Sequence, residues 1–301
     1  MAVIIASWNT RELTGQAVAS ALAAACEVPV RVYVIDNASS DGSAAYVEGR
    51  FPEVRVVRSA SNEGFGRANN RGIGASHEPY VLFLNSDAVL LAGTLAELVR
   101  TLDGHPEAGA VGARLIFADG RFQASFADFP TLARDVLALM GLARPVYGDQ
   151  YPSYREGESR QPRAVDWIGG ACMLVRRAAL DATGGFDPDF HMYAEETDLC
   201  RRLHAAGWTV RYAPAARCLH HGGRSTGRRS AEQPRLYWRS HLLYYRKHRP
   251  AWEARVLAGL IRVCYMLRWA GWTARAWLGR PAGRARWRER ALGARRLVLE
   301  L

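Results

Sequence analysis

Along the first 120 residues, short unbroken apolar runs alternate with longer stretches in which apolar positions recur every three or four residues. The unbroken runs predict strands at 3–6, 30–35, 54–57, 81–84 and 110–116, apolar on both faces and therefore buried within a sheet. The periodic stretches predict helices at 13–25, 42–50, 64–75 and 94–103. This βαβα order predicts an α/β fold with a Rossmann-like, mostly parallel central sheet, right-handed crossovers and helices on its faces. Such a half has the usual shape of a nucleotide-binding unit.

From 119 to 161 the pattern breaks: Pro130, Pro145 and Pro152 interrupt it, Pro162 follows, and the polar stretch 154–161 has no period. A mobile loop or lid is expected there. Order returns as a strand at 165–176, a turn at Thr183-Gly184-Gly185-Phe186-Asp187-Pro188 and a helix at 195–206. No internal repeat is evident, which sets solenoids aside. The stretch 256–279 is rich in Leu, Trp and Tyr, but Arg262, Arg268 and Arg275 leave no uncharged run longer than six residues. A conventional membrane-spanning helix needs about 20 mainly apolar residues. Arginine-rich helices carrying Trp269, Trp272, Trp277 and Trp287 fit instead an interfacial helix on an anionic membrane surface. A helical subdomain packed on the core or in a dimer is the plainer alternative. Nucleic-acid binding is not expected, because no recognised motif accompanies the basic residues.

A chain of 301 residues with 49% apolar content buries a core of ordinary size, which excludes disorder. Residues 1–7 lack a basic start and a long apolar stretch, so they read as a buried strand and not a signal peptide, and a cytoplasmic location follows as an expectation. The five cysteines, Cys26, Cys172, Cys200, Cys218 and Cys264, form no C-x-x-C pair and read as reduced core residues. The net charge of +11 is concentrated at one end: residues 247–301 hold 13 Lys or Arg against three acids, a net +10. With the tryptophans, this asymmetry predicts a peripheral position on the inner face of the cytoplasmic membrane.

Two separate acidic stations carry the candidate chemistry. Asn85-Ser86-Asp87 closes a buried strand at its carboxyl end, where open α/β sheets bind ligands, and its hard oxygens suit Mg²⁺ or Mn²⁺. Glu195-Glu196-Thr197-Asp198 opens a helix whose Leu199, Leu203 and Ala206 form the inward stripe. Glu196 borders that stripe, whereas Asp198, two residues on, points roughly the opposite way. Asp36, in Ile35-Asp36-Asn37-Ala38-Ser39-Ser40-Asp41-Gly42-Ser43, ends another strand and suits contact with a base or ribose, while Ser40 or Asp41 suits helix capping. Asn62-Glu63-Gly64-Phe65-Gly66-Arg67-Ala68-Asn69-Asn70 places two glycines at a helix mouth. Either an anion at the backbone amides or a tight turn accounts for them, with Arg67 reaching a phosphate or bracing the site. No Walker lysine is present, so a P-loop is not indicated. His220-His221 precede a glycine-rich turn, Gly222-Gly223-Arg224-Ser225, and one of them, His220 by preference, can join Asp87 at a metal.

In this order, Ser7-Trp8-Asn9, the segments 35–43 and 62–70, Asn85-Ser86-Asp87, Gly169-Gly170-Ala171, Gly184-Gly185-Phe186-Asp187 and the segment 193–202 resemble the family 2 glycosyltransferases, most nearly their bacterial rhamnosyltransferase-like branch. The resemblance covers residues 1–245 and implies a GT-A fold, a nucleoside diphosphate sugar donor, a divalent metal and inversion at the anomeric carbon. It implies a nucleotide-sugar half at 1–120, an acceptor and catalytic half at 121–245 and a basic helical extension at 246–301. By the same likeness Asp36 contacts the nucleotide, Asp87 binds the metal, Asn85 replaces the first acid of the D-x-D-like motif, and His220 is a further metal ligand. Gly169 and Gly170 match a backbone segment near the acceptor, and Glu196 matches the catalytic base beside Glu195. Ser7, Asn9, Asn62, Gly64, Arg67, Glu195 and Asp198 fall within the matching substrate-binding segments. A sugar such as rhamnose is expected from the branch, and a lipid-linked or cell-surface glycan acceptor is expected from the basic tail. A two-carboxylate glycosidase would not need the nucleotide-like half; a membrane-associated, non-catalytic scaffold on the same fold is the competing reading.

Overall fold

The computed structural model describes residues 1–148, 152–153, 161–222, 232–278 and 281–300. Of the stretch 119–161 expected as a mobile loop, residues 149–151 and 154–160 lie outside the described residues, as do the turn residues Gly223, Arg224 and Ser225. In chain order the elements are β1 (Ala2–Ser7), α1 (Arg11–Ala23), β2 (Arg31–Asp36), α2 (Ser43–Arg50), β3 (Arg55–Arg58), α3 (Phe65–Ala75), β4 (Tyr80–Leu84), β5 (Ala88–Leu90), α4 (Thr94–Asp103) and β6 (Ala108–Ile116). They continue with β7 (Phe122–Gln123), β8 (Phe126–Ala127), α5 (Leu132–Met140), α6 (Ala143–Tyr147), β9 (Arg163–Val165), β10 (Trp167–Ile168), β11 (Cys172–Arg176), α7 (Arg177–Thr183) and α8 (Glu195–Ala205). A long strand, β12 (Thr209–His220), precedes α9 (Gln233–His248), α10 (Ala251–Leu278) and α11 (Pro281–Glu300). The described residues fall into two units, one within Met1–Phe129, Gln150–His191 and Glu195–Gly227, the other within Pro130–Asp149, Met192–Ala194 and Arg228–Leu301.

The first unit is built on a sheet of order β3-β2-β1-β4-β11-β6-β12-β5. Its first four strands are mutually parallel, as are β6 and β12; β11 lies antiparallel between β4 and β6, and β5 runs antiparallel to β12. Helices cover both faces, which is why the strands read as apolar throughout. Val3, Ile5, Leu82 and Leu84 pack with α1 and α4 residues such as Val18 and Leu98. Ile4, Val81 and Phe83 face the other layer, with Ala68 of α3, Leu180 of α7 and Leu199 of α8.

Three expectations change. The strand expected at 165–176 is three strands, because β9 pairs with β12, β10 with β8, and β11 with β4 and β6, the chain turning through Gly169-Gly170. The stretch expected as a loop holds β7, β8, α5 and α6: Pro130 lies before α5 and Pro145 lies in the first turn of α6, where a missing N–H breaks no helical bond. Strand β12 is absent from the apolar pattern because Pro214 sits in an irregularity of its register between Ala213 and Arg217, which breaks the alternation. All five thiols are free, and Cys172, Cys200 and Cys218 are buried as expected, but Cys26 is exposed.

The second unit is helical. Leu257, Ile261 and Tyr265 line the buried face of α10, which packs on α5, α9 and α11. Two hydrogen bonds between side chains lie in its interior: Tyr245 Oη donates to Asp135 Oδ2 (2.7 Å) and Trp238 Nε1 donates to Tyr265 Oη (3.2 Å). Among the described residues no helix is long and apolar enough to cross a membrane.

Candidate active site

The parallel run β3-β2-β1-β4 reverses its winding between β1 and β4, so the crevice at the carboxyl ends of these strands is where such a sheet takes a ligand. Ser7 and Asp36 are register partners at the ends of β1 and β2. Asp36 is buried; its Oδ2 accepts from Ser39 N (3.3 Å) and its Oδ1 has no hydrogen-bond partner. A buried acceptor left open costs free energy unless a ligand donor reaches it. The Ser7 hydroxyl is drawn into a chain with Thr14 (2.7 Å), and Thr10, bonded to Thr14 (3.1 Å), donates to Ser86 (3.0 Å). That chain ties the end of β1 to the loop bearing Asp87. Asn9, with φ of 53°, accepts from Ser40 N (2.8 Å) and takes Ser39 Oγ on its own N–H (3.0 Å), fixing the loop after Asp36. Asp41 does the capping work: it accepts from Arg11 N (2.9 Å) and Ser43 N (3.0 Å), and although burial raises its pKa, these bonds and the Ser43 hydroxyl hold it below the usual value.

The Asn62–Gly64 turn is held from β2. Asn37 Nδ2 donates to Asn62 Oδ1 (2.9 Å) and to the Gly64 carbonyl (3.2 Å), and its Oδ1 accepts from Glu63 N (3.0 Å). Gly64 has φ of 85°, and a Cβ there would collide with the carbonyl of His191 and lie 2.7 Å from its Nδ1. The same carbonyl accepts from Phe65 N (3.1 Å), so one amide at the mouth of α3 is already occupied by protein. Arg67 Nε donates to the Pro188 carbonyl (2.9 Å), the bracing role of the two considered for it. Asn70 clamps the Gly184-Gly185-Phe186 turn with bonds to both the carbonyl (2.7 Å) and the N–H (2.9 Å) of Phe186.

Asp87 lies buried beyond β4, and the long β12 delivers His220 to it. His220 is the register partner of Ala88, and His221 N donates to the Asp87 carbonyl (3.0 Å). This pairing turns the His220 ring inward: Nε2 lies 3.2 Å from Asp87 Oδ1 and 3.3 Å from Asn85 Nδ2. Its Nδ1 lies 3.0 Å from Gln123 Oε1, an acceptor, which assigns the ring proton to Nδ1 and leaves the Nε2 lone pair facing Asp87. Gln123 and Asn37 were not singled out by sequence; Gln123 sits in the patternless stretch and gave no signal. Two ligands in adjacent positions on an octahedral ion at ~2.1 Å stand about 3 Å apart, which matches this N···O separation. Asn85 Oδ1, buried and without a partner, adds a hard oxygen nearby. The donor chemistry of this set suits Mg²⁺ or Mn²⁺, although among the described residues no three His, Cys, Asp or Glu group as ligands.

The second station begins where α8 begins. Tyr193 and Ala194 have φ of 70° and 64°, a conformation costing about 1–3 kcal/mol per non-glycine residue, immediately before Glu195. Glu195 is buried with Oε2 unpartnered; burial, and then the neighbouring Glu196 carboxylate, push its pKa well above the usual carboxylate range. Glu196 is half-buried. Asp198 is fully buried on the other side of the helix, where Arg202 Nε donates to it (2.8 Å) and Arg202 Nη1 donates to the Thr183 carbonyl (2.6 Å).

One tripeptide joins the two stations. Gly169 N donates to the Ser125 carbonyl (2.9 Å), a Cβ on Gly170 would lie 3.3 Å from the Phe65 ring and 3.7 Å from Glu196 Cβ, and the Ala171 carbonyl accepts from Asn85 N (3.0 Å). The loop before Asp87 and the helix turn bearing Glu196 thus flank Gly169-Gly170-Ala171.

A family model described as "Glycosyltransferase like family 2" matches residues 1–239. An N-acetylglucosaminyl-diphospho-decaprenol L-rhamnosyltransferase of Mycobacterium tuberculosis is 34% identical over 268 residues, covering 83% of this chain and 85% of that protein. Among solved structures, the mannosyltransferase PcManGT from Pyrobaculum calidifontis, in complex with GDP-Man and Mn²⁺, superposes with a TM-score of 0.56 at 16% identity, over 99% of this chain and 86% of that one. GalNAc-T7, solved with UDP, GalNAc and Mn²⁺, superposes with a TM-score of 0.54 at 15% identity, over 73% of this chain and 43% of that one. The solved structures establish the GT-A fold, and the matched family model and the rhamnosyltransferase relative together place this chain in glycosyltransferase family 2.

Proposed function

We propose that this protein is an inverting, metal-dependent transferase that moves a sugar, rhamnose by analogy with its relative, from a nucleoside diphosphate to a hydroxyl of a lipid-linked glycan in cell-surface polysaccharide synthesis. The observation that carries the reading is the joining of Asp87–His220 and Glu196 through Gly169-Gly170-Ala171. The Mycobacterium relative is named for a lipid-diphosphate acceptor, which supports that acceptor class here. Work at the inner face of the cytoplasmic membrane is part of the proposal.

In this reading the open Asp36 Oδ1 receives a donor hydrogen from the base or ribose, and Ser7, Asn9, Asn62 and Gly64 hold the loops around it. Asp87 and His220, with Asn85 beside them, would hold Mg²⁺ or Mn²⁺; a bound divalent ion neutralises charge on a departing diphosphate. Glu196 takes the proton of the acceptor hydroxyl as that oxygen bonds to the anomeric carbon, and the bond from that carbon to the diphosphate breaks on the opposite face. Burial, and then the Glu196 carboxylate, raise the pKa of Glu195 well above the usual carboxylate range, which favours its neutral form beside Glu196. Arg67 and Asp198 position backbone, through Pro188 and Arg202.

The test is calorimetric binding of UDP, GDP and dTDP with and without Mn²⁺, for wild type and Asp87→Ala. Metal-dependent binding lost in the variant is the expected result and narrows the donor by its base. A folded protein that binds none of the three overturns the reading.

A further inference from the structure

Helix α10 is buried on one side only. At spacings of three and four residues, Trp252, Val256, Leu260, Val263, Leu267 and Leu278 fall on one face, and all six are exposed. The spacing continues through Ala270 and Ala274, so this face carries no charge for about 39 Å, the length of 26 residues at 1.5 Å each. It lies opposite Leu257, Ile261 and Tyr265, which fill the core of the helical unit. Leu267 and Leu278 are 70% and 88% exposed, far from the ordinary state of a leucine. An exposed apolar band of this length marks an interaction surface.

The surroundings of the band select its occupant. Arg255 and Arg262 are exposed along one flank and Arg275 along the other. Exposed arginines recur along the adjoining α11, at 286, 288, 290, 295 and 296. The one acid of α10, Glu253, is buried and bonded to Arg249 (2.8 and 2.9 Å), so it does not offset them. Trp252 stands at one end of the band and Trp277, 80% exposed, at the other. Apolar centre, cationic flanks and terminal tryptophans match the layered chemistry of a lipid leaflet with anionic headgroups. A second copy seated on the same face would bring two arginine-lined flanks together, which like-charge repulsion opposes.

We infer that α10 is a membrane-contact helix: it lies in the plane of an anionic leaflet, its Trp252–Leu278 band sunk about 5–10 Å into the boundary between headgroups and acyl chains. Its purpose rests on the proposed lipid-linked acceptor, to which it would bring the enzyme without a membrane-spanning segment.

The experiment is flotation of the full chain with vesicles of phosphatidylglycerol and phosphatidylcholine, and of phosphatidylcholine alone, for wild type and the triple variant Leu260→Glu, Val263→Glu, Leu267→Glu. Expected are binding to the anionic vesicles and a loss of at least about tenfold in the variant. Quenching of wild-type tryptophan fluorescence by lipids brominated in their acyl chains is expected as well, and does not depend on how the variant folds. Wild type that ignores anionic vesicles, a folded variant that binds them equally, or a wild-type dimer that the variant turns into monomer without vesicle binding overturns the inference. Nucleotide binding by the same samples separates the two readings: retained without vesicle binding, the membrane surface alone fails; lost while vesicles bind, the transferase reading alone fails.

Discussion

His220 Nε2 stands 3.2 Å from Asp87 Oδ1, although 132 residues separate the two in the chain. The antiparallel pairing of β12 with β5 sets that distance, and Gln123 sets the ring's tautomer. If Asp87 and His220 hold the proposed metal, Gln123 is an outer support of that site, a position whose loss typically costs 10–100-fold in ion affinity. Gln123→Ala is expected to raise the Mn²⁺ concentration needed for nucleotide binding by that factor, while Asp87→Ala abolishes the Mn²⁺ dependence. Calorimetric Mn²⁺ titrations with nucleotide present measure both; an unchanged Mn²⁺ requirement in Gln123→Ala would remove it from the site.

Glu196→Gln is expected to lower kcat by about 10²–10⁴-fold with nucleotide affinity unchanged, the usual range for a lost general base. Release of nucleoside diphosphate in the presence of acceptor gives the rate. A variant that keeps wild-type kcat would take the base role from this residue.

Glu195 gives a stability signature with a defined sign. Its folded-state pKa is raised, first by burial and then by Glu196, from an ordinary 4.5. Above pH 4.5 the unfolded chain releases this proton while the native state retains it, so the native state binds more protons and its stability falls as pH rises through that window. Glu195→Gln removes the titration. The Tm of the variant minus that of wild type should therefore grow from pH 4.5 upward and level off above the native pKa; thermal melts across pH 4–9 measure it, and a constant difference would contradict the assignment.

Arg202→Ala takes the guanidinium away from the fully buried Asp198 carboxyl; removing one partner of a buried ion pair costs about 3–5 kcal/mol. Urea denaturation should show that loss, with nucleotide affinity retained by the folded fraction. Affinity lost in step with Asp198→Asn, at unchanged stability, would return Asp198 to the substrate.

Gly64→Ala is expected to destabilise by about 3 kcal/mol or more, since alanine meets both a left-handed φ and the His191 carbonyl. Denaturant midpoints at constant slope check it. A stability within about 0.5 kcal/mol of wild type would mean that the turn relaxes freely.

Much of the first unit was legible in the sequence because its signals are local. An unbroken apolar run such as Val81-Leu82-Phe83-Leu84 is what a strand covered on both faces requires, and an acid at its carboxyl end follows by position alone. The onset of α8 at Glu195, and the opposed directions of Glu196 and Asp198, follow from helical spacing. Arginines spaced through 256–279 were enough to exclude a spanning helix, since charge within a single segment decides that question.

What only the tertiary structure decided depends on pairing between distant segments. Strand β12, bent at its irregularity around Pro214, carries no clean alternation, yet its register with β5 and β6 places His220 beside Asp87 and brings Gln123 of β7 behind it. The Gly169-Gly170-Ala171 link between the two acidic stations exists because β10 and β11 pair with different strands. On α10, the sequence shows apolar residues on most sides; only packing against α5, α9 and α11 decides that Leu257, Ile261 and Tyr265 are core while Trp252, Leu260 and Leu267 face outward. Local pattern determines which element forms, because it depends on neighbours a few bonds away; which partner each element meets depends on contacts that the linear order of residues does not contain.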